Sequence, residues 1–289
     1  MFVETNINKH KNPMLQLQSH HIVDLYCWVD NNLPKSLKTT KAGRPPVLSS
    51  SELITILLWN TLVVQQKTIK DLYDWVSMYH HRDFPKLPKY NAFIDHCHRV
   101  TPLCLQLLEQ LLCDQEPIRF LDSTMVPVCK TVRANSHKVA KSIAAFGKNH
   151  QGWHYGFKLH ASVNKQRQLC GIVLTPANFH DAQAMRWILN EHADIAVGDG
   201  GYTARVMQEI IWKSYGTIVV SPPHPKQKTK LLAGWQRLLL RMRPKVEAVF
   251  DILKEHLQLV TSFPRSIKGY LFHYVRIILA YQLIALAKT

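Results

Sequence analysis

Apolar positions recur every three or four residues through the first third of the chain, and every second residue in several short runs beyond it. The first period belongs to helices with one buried face and the second to strands. Helices are predicted over roughly 19–31, 49–65, 68–80 and 91–112. Ser49-x-x-Glu52 forms a capping box behind the stiff Gly43-Arg44-Pro45-Pro46 segment, and Thr68-x-x-Asp71 opens the third helix in the same way. Pro85 and Pro88 break the chain before the fourth helix, which Pro102 kinks or restarts. Residues 1–15 read as a loose tail. From Glu116 the period changes. Strands are predicted over 118–121, ending at Asp122, then over 155–163, 170–174, 195–197 and 217–220. Helices follow at 181–192, with Asp181 as its cap, and at 203–213. A long one carries Met242, Val246, Val249, Phe250, Leu253 and Leu257 on one stripe. A last apolar helix at 267–287 covers the βββαβαβα arrangement. The expected fold class is therefore α/β. A helical N-terminal region, 1–114, precedes a mixed sheet flanked by helices, 115–289.

The second and third helices, joined by a short polar turn, fit either a helix-turn-helix or a plain helical hairpin; their near-neutral charge favours the hairpin. The longest apolar runs are interrupted by polar residues and fall short of the roughly 20 that a bilayer span needs, so no membrane partner is expected. The N-terminus carries Glu4 and no apolar signal region, which points to the cytoplasm. Six scattered cysteines with no C-x-x-C pair read as reduced core residues, and His96-Cys97-His98 lacks the second pair that a zinc finger requires.

Charge sharpens the picture. The net charge is +16, divided as +2 over residues 1–114 and +14 over 115–289. Between Asp122 and Asp181 there is no acid, against eight bases that include Lys138, Lys141, Lys148 and Lys158. Between Glu209 and Glu247 there is again none, against eight more that include Arg243. A solvated surface normally intersperses both signs. Two long acid-free basic runs fit a nucleic-acid backbone better.

In this basic setting isolated carboxylates stand out. Asp122 and Asp199 follow predicted strands, where α/β sheets present their chemistry. Glu247 shares a helix face with Arg243 and Lys254 at spacings of four and seven. Taken singly, each has an ordinary role: a turn former, a glycine-loop residue, a helix-surface ion pair. Together they suit a site that holds Mg²⁺ with few protein ligands and takes the rest from substrate phosphates.

Several segments resemble the DDE transposases of bacterial insertion sequences, whose catalytic domain is ribonuclease H-like. They are Ser136 to Lys148, Gly152 to His160, Leu174-Thr-Pro-Ala-Asn178, Gly198-Asp-Gly-Gly-Tyr202 and Arg243-x-x-x-Glu247-x-x-x-x-x-x-Lys254. The likeness covers about 115–275 and extends weakly upstream through Gly43-Arg-Pro-Pro46 and Leu87-Pro-Lys-Tyr-Asn91. It implies that Asp122, Asp199 and Glu247 are the catalytic, metal-binding triad, and that Arg243 and Lys254 contact DNA; the first basic run adds Lys138, Lys141, Lys148 and Lys158 as DNA-binding residues by their charge. It implies two Mg²⁺ ions, replaceable by Mn²⁺. It further implies double-stranded DNA partners (inverted-repeat ends and target), a homodimer on DNA, and a bacterial, nucleoid-associated location. The family often has Lys where Gly200 stands and Tyr where Leu240 stands, and the basic segment after the Glu helix is reduced here to Pro264-Arg265-Ser266. Two other functions fit the same residues: a noncatalytic DNA-binding protein of this fold, and a nuclease that cuts without joining.

Overall fold

The computed structural model describes residues 22–33, 46–223 and 231–287. The predicted N-terminal tail, Gly43 to Pro45 of the stiff segment, and Lys226, Lys228 and Lys230 of the second basic run lie outside these residues. The chain divides into two compact units, one running up to Leu111 and resuming from Leu271, the other spanning Leu112–Tyr270.

The first unit is helical: α1 (Ile22–Asn32), α2 (Ser50–Trp59), α3 (Ile69–Tyr79) and α4 (Tyr90–Leu111). The capping box forms as the sequence predicts. The Glu52 backbone N–H donates to Ser49 Oγ at 3.1 Å and the Ser49 N–H to Glu52 Oε2 at 2.6 Å. Thr68 likewise caps α3, accepting from the Asp71 N–H. Pro102 lies inside α4, which continues past it. A π-helical turn, Asn60–Val64, closes α2 before the left-handed Gln65.

The second unit holds β1 (Ile118–Cys129), β2 (Ala145–Asn149), β3 (Gly152–Val163), β4 (Leu169–Pro176), α5 (Asp181–Ile188), β5 (Ile195–Val197), α6 (Arg205–Tyr215), β6 (Ile218–Val220), α7 (Gly234–Met242) and α8 (Pro244–Asp251). The sheet order is β2-β3-β1-β5-β6. β1 and β3 run antiparallel from Phe120↔Val163 to Cys129↔Tyr155, whereas β1, β5 and β6 are parallel. The other edge of β3 is shared end to end, β2 pairing with Gly152 to Gly156 and β4 with Phe157 to Val163.

Four sequence expectations change here. β1 does not end at Asp122: Asp-Ser-Thr carries turn chemistry, but β3 supplies a ladder to Cys129 and overrides it. β2 has no counterpart among the predicted strands; its five residues are held by the same partner. α5 stops at Ile188 because Leu189 turns extended and buries its side chain in the core with Leu121, Met185 and Ala196. The long helix is three pieces, α7, α8 and a π turn over Ile252–His256.

The final helix, α9 (Ile267–Ala287), groups from Leu271 onward with the helical unit and not with the sheet unit. At the predicted 21 residues it is long and apolar enough for a bilayer by length and composition, where the apolar runs read from sequence fall short of a span, yet 72% of its most apolar window is buried in the protein. It also carries polar groups with partners inside its own unit: Gln282 donates to the Leu111 carbonyl and Arg276 from Nη1 to Thr61 Oγ1.

α5 lies close on the sheet. Ser162 Oγ donates to the Ile188 carbonyl at 2.6 Å, and a Cβ at the paired Gly171 would sit 2.5 Å from that same oxygen. Gly171→Ala must push α5 off the sheet, so we expect a loss of about 1–3 kcal/mol, read as a lower urea midpoint of the purified chain. An unchanged midpoint would show that the close approach carries no constraint.

Candidate active site

Two aspartates leave adjacent parallel strands at one level. The last β1–β5 rung is Phe120↔Val197, so Asp122 and Asp199 each stand two residues beyond it. A step of two keeps each on the face of its rung residue. Asp122 is thus in mid-strand, against its predicted strand-end placement, but at the carboxyl end of the parallel pairing; Asp199 does stand just beyond its strand. The loop after Val197 is shaped for the second acid. The Gly201 N–H donates to Asp199 Oδ1 at 2.9 Å, and the bare Cα of Gly198 admits the Tyr202 ring, which a Cβ would meet at 2.6 Å.

The third acid arrives through an arginine. At the α7–α8 junction Arg243 donates from Nη1 to Asp122 Oδ2 at 3.2 Å and from Nη2 to Glu247 Oε1 at 2.5 Å. The Asp122 side chain is 15% exposed, Arg243 24% and Glu247 47%, so the site grades from buried to open. Burial, aided by the charges of Asp199 and Glu247, pushes the Asp122 carboxyl up to about 7 against the opposing pull of the Ser123 N–H and Arg243. This electrostatic field joins the three predicted acids. Among the described residues no three such side chains converge on a single metal position, and the Arg243 guanidinium lies between two of them. The donor set nevertheless fits a hard divalent cation: all-oxygen, poor in waterless cages, and already drawing a positive charge into its middle.

Lys254 lies within the π turn at Ile252–His256, which turns it by only a few tens of degrees from the face that α-helical spacing gives it. Lys254 is half-buried, its ammonium pKa lowered mainly by that burial. It lies close enough to His154 on β3 to add to the downward shift that burial gives that imidazole. No ion pair joins it to Glu247 among the described residues. Lys138, Lys141 and Lys148 are exposed, with Lys148 Nζ 5.7 Å from the Trp153 ring centroid. Lys158 is committed within the protein, donating to the Phe179 carbonyl at 2.9 Å and to Asp181 Oδ1 at 3.2 Å.

Asp181 is the acid that sequence reasoning gave only a capping role. The residue at the N-cap position of α5 is His180, and the Asp181 side chain turns to the sheet. There it accepts from Ser123 Oγ at 2.7 Å and stands 3.5 Å from His160 Nδ1. Burial pushes the His160 imidazole down to about 4 despite Asp181, and its Nε2 meets Thr175 Oγ1 at 2.9 Å. The buried Tyr202 hydroxyl lacks a hydrogen-bond partner among the described residues; its pKa is raised by burial and then by Asp181, Asp122 and Asp199. The available signal was that Asp181 ends the long acid-free run.

No curated protein matches the chain. Among solved structures, a piggyBac transposase synaptic complex with hairpin DNA superposes at TM-score 0.55 with 8% identity, covering 97% of this chain and 75% of that chain. At that identity the likeness shows a shared fold. A pre-cleavage Mos1 transpososome matches at TM-score 0.20 and 13% identity, over 96% of this chain and 95% of that one, too weakly to bear on the fold. The family model described as a transposase DDE domain matches residues 112–267. That span is more than half of the chain and contains every site residue described above from Asp122 to Lys254, and the chain belongs to the transposase DDE-domain family.

Proposed function

We propose that this transposase cleaves a DNA strand and transfers the freed 3′ end at the site formed by Asp122, Asp199 and Glu247, with two divalent cations as cofactors. The observation that carries the reading is the common level of Asp122 and Asp199 at the carboxyl end of paired parallel strands, with Glu247 tied to Asp122 by Arg243. When bound, such ions polarise a scissile phosphate and lower the pKa of the attacking water or 3′-hydroxyl.

The chain's own residues do the rest. The Ser123 N–H donates to Asp122 Oδ1 at 2.8 Å and the Gly201 N–H orients Asp199, so both carboxylates are held by backbone before substrate arrives. Glu247, the most open of the three, is the one placed to adjust as a phosphate enters. Arg243, held by two acids, neutralises them in the absence of substrate and turns to a phosphate once its carboxylates are otherwise engaged. The exposed Lys138, Lys141 and Lys148 grip the backbone electrostatically without reading sequence. One active site per chain and two transposon ends require two copies acting together on DNA.

Two results are expected. Asp122→Asn, Asp199→Asn and Glu247→Gln each abolish Mg²⁺-dependent nicking and joining of a labelled duplex carrying the sequences that flank the gene, while a filter-binding assay shows DNA affinity within a few-fold of wild type. Normal cleavage by any one variant removes that residue from the site. Nicking without joining by the wild-type chain supports the nuclease alternative, and binding with neither supports a noncatalytic role. Second, replacing Lys138, Lys141 and Lys148 together by Ala flattens the dependence of log K on log salt by roughly 0.9 per lost contact. An unaltered slope would place the DNA on another face.

A further inference from the structure

The register of β1 and β3 gathers a second set of side chains beneath the carboxylates. Alternation along β1 sends Asp122 to one face of the sheet and Ser123 to the other. Ser123 is paired with His160, and Lys158 lies two residues from His160 along β3, on the same face. All three converge on one oxygen: Ser123 Oγ stands 2.7 Å, Lys158 Nζ 3.2 Å and His160 Nδ1 3.5 Å from Asp181 Oδ1. The other oxygen of Asp181 borders the loop of the second aspartate, since a Cβ at Gly201 would lie 3.1 Å from Asp181 Oδ2 and 3.0 Å from Asp199 Oδ1.

We infer that Asp181 is a positioning residue for the catalytic carboxylates, fixing Ser123 through its hydroxyl so that the Ser123 N–H can hold Asp122, and bounding the Gly201 turn that orients Asp199. The inference rests on the metal-dependent reading above. Lys158 balances the charge of Asp181, so this acid is occupied by protein donors and serves as a strut, not as a metal ligand. Two of the site's three acids thereby depend on one residue of α5, which itself is pinned to the sheet through Ile188. Partners that orient metal ligands in this way commonly change metal affinity by 10- to 100-fold when removed.

The test is Mn²⁺ binding to the full chain, measured by the loss of the free-ion electron paramagnetic resonance signal, beside thermal melting. Asp181→Ala is expected to raise the half-saturating Mn²⁺ concentration by about tenfold or more. Asp181→Asn, whose amide oxygen still accepts from Ser123, should recover most of that loss. Ser123→Ala cuts the link without disturbing Lys158 and should reproduce the weakening, which keeps the inference testable if Asp181→Ala does not fold. Were Asp181 a ligand itself, Asn would bind Mn²⁺ as poorly as Ala and Ser123→Ala would bind normally, overturning the strut. Lower melting temperatures with unchanged Mn²⁺ affinity would overturn it in favour of a purely structural role. A wild-type chain that binds no Mn²⁺ would instead remove the metal-dependent reading, and the strut with it.

Discussion

Carboxylates brought together in a partly buried place repel one another and lose water, and the sheet unit is organised around that cost. Asp122 feels it most: burial and two acidic neighbours favour its neutral form. Each acid has an answer built from a different element. Asp122 and Glu247 share the Arg243 guanidinium, Asp199 takes a backbone N–H from its own turn, and Asp181 takes the Lys158 ammonium and a serine hydroxyl. The surplus of basic residues is thus not all turned to solvent. Arg243 and Lys158 are engaged with the acids themselves.

Much of this was legible in the sequence because its causes are local. The Ser49–Glu52 box, the alternation through 155–163 and the isolated acids of 122, 199 and 247 need only neighbours along the chain to be understood. What was not legible depends on partners far away in sequence. Nothing in Ala145 to Asn149 announces a strand until Gly152 to Gly156 lies beside it. Asp-Ser-Thr reads as a turn until β3 supplies hydrogen bonds. Asp181 looks like a helix cap because the three residues that claim its oxygen lie 58, 23 and 21 positions upstream. The π turn that holds Lys254 leaves no mark in composition.

The glycines near the site illustrate how backbone constraint becomes chemistry. Gly198 makes room for the Tyr202 ring and Gly171 for the end of α5. In each case a missing side chain lets two elements approach closely, and at Gly198 the turn so formed holds Asp199 through the Gly201 N–H. A larger residue at Gly198 would disturb that turn without touching the carboxylate.

The way the sheet ends has a consequence for behaviour in concentrated solution. Its borders are broken into short pieces: three residues of β6 at one side, and at the other five of β2 and eight of β4 laid end to end along β3. An unpaired border is a template on which a foreign strand can grow, and its hazard rises with length. Among the described residues none of the pieces offers a long ladder, so the route from crowding to fibrous aggregation is kept narrow.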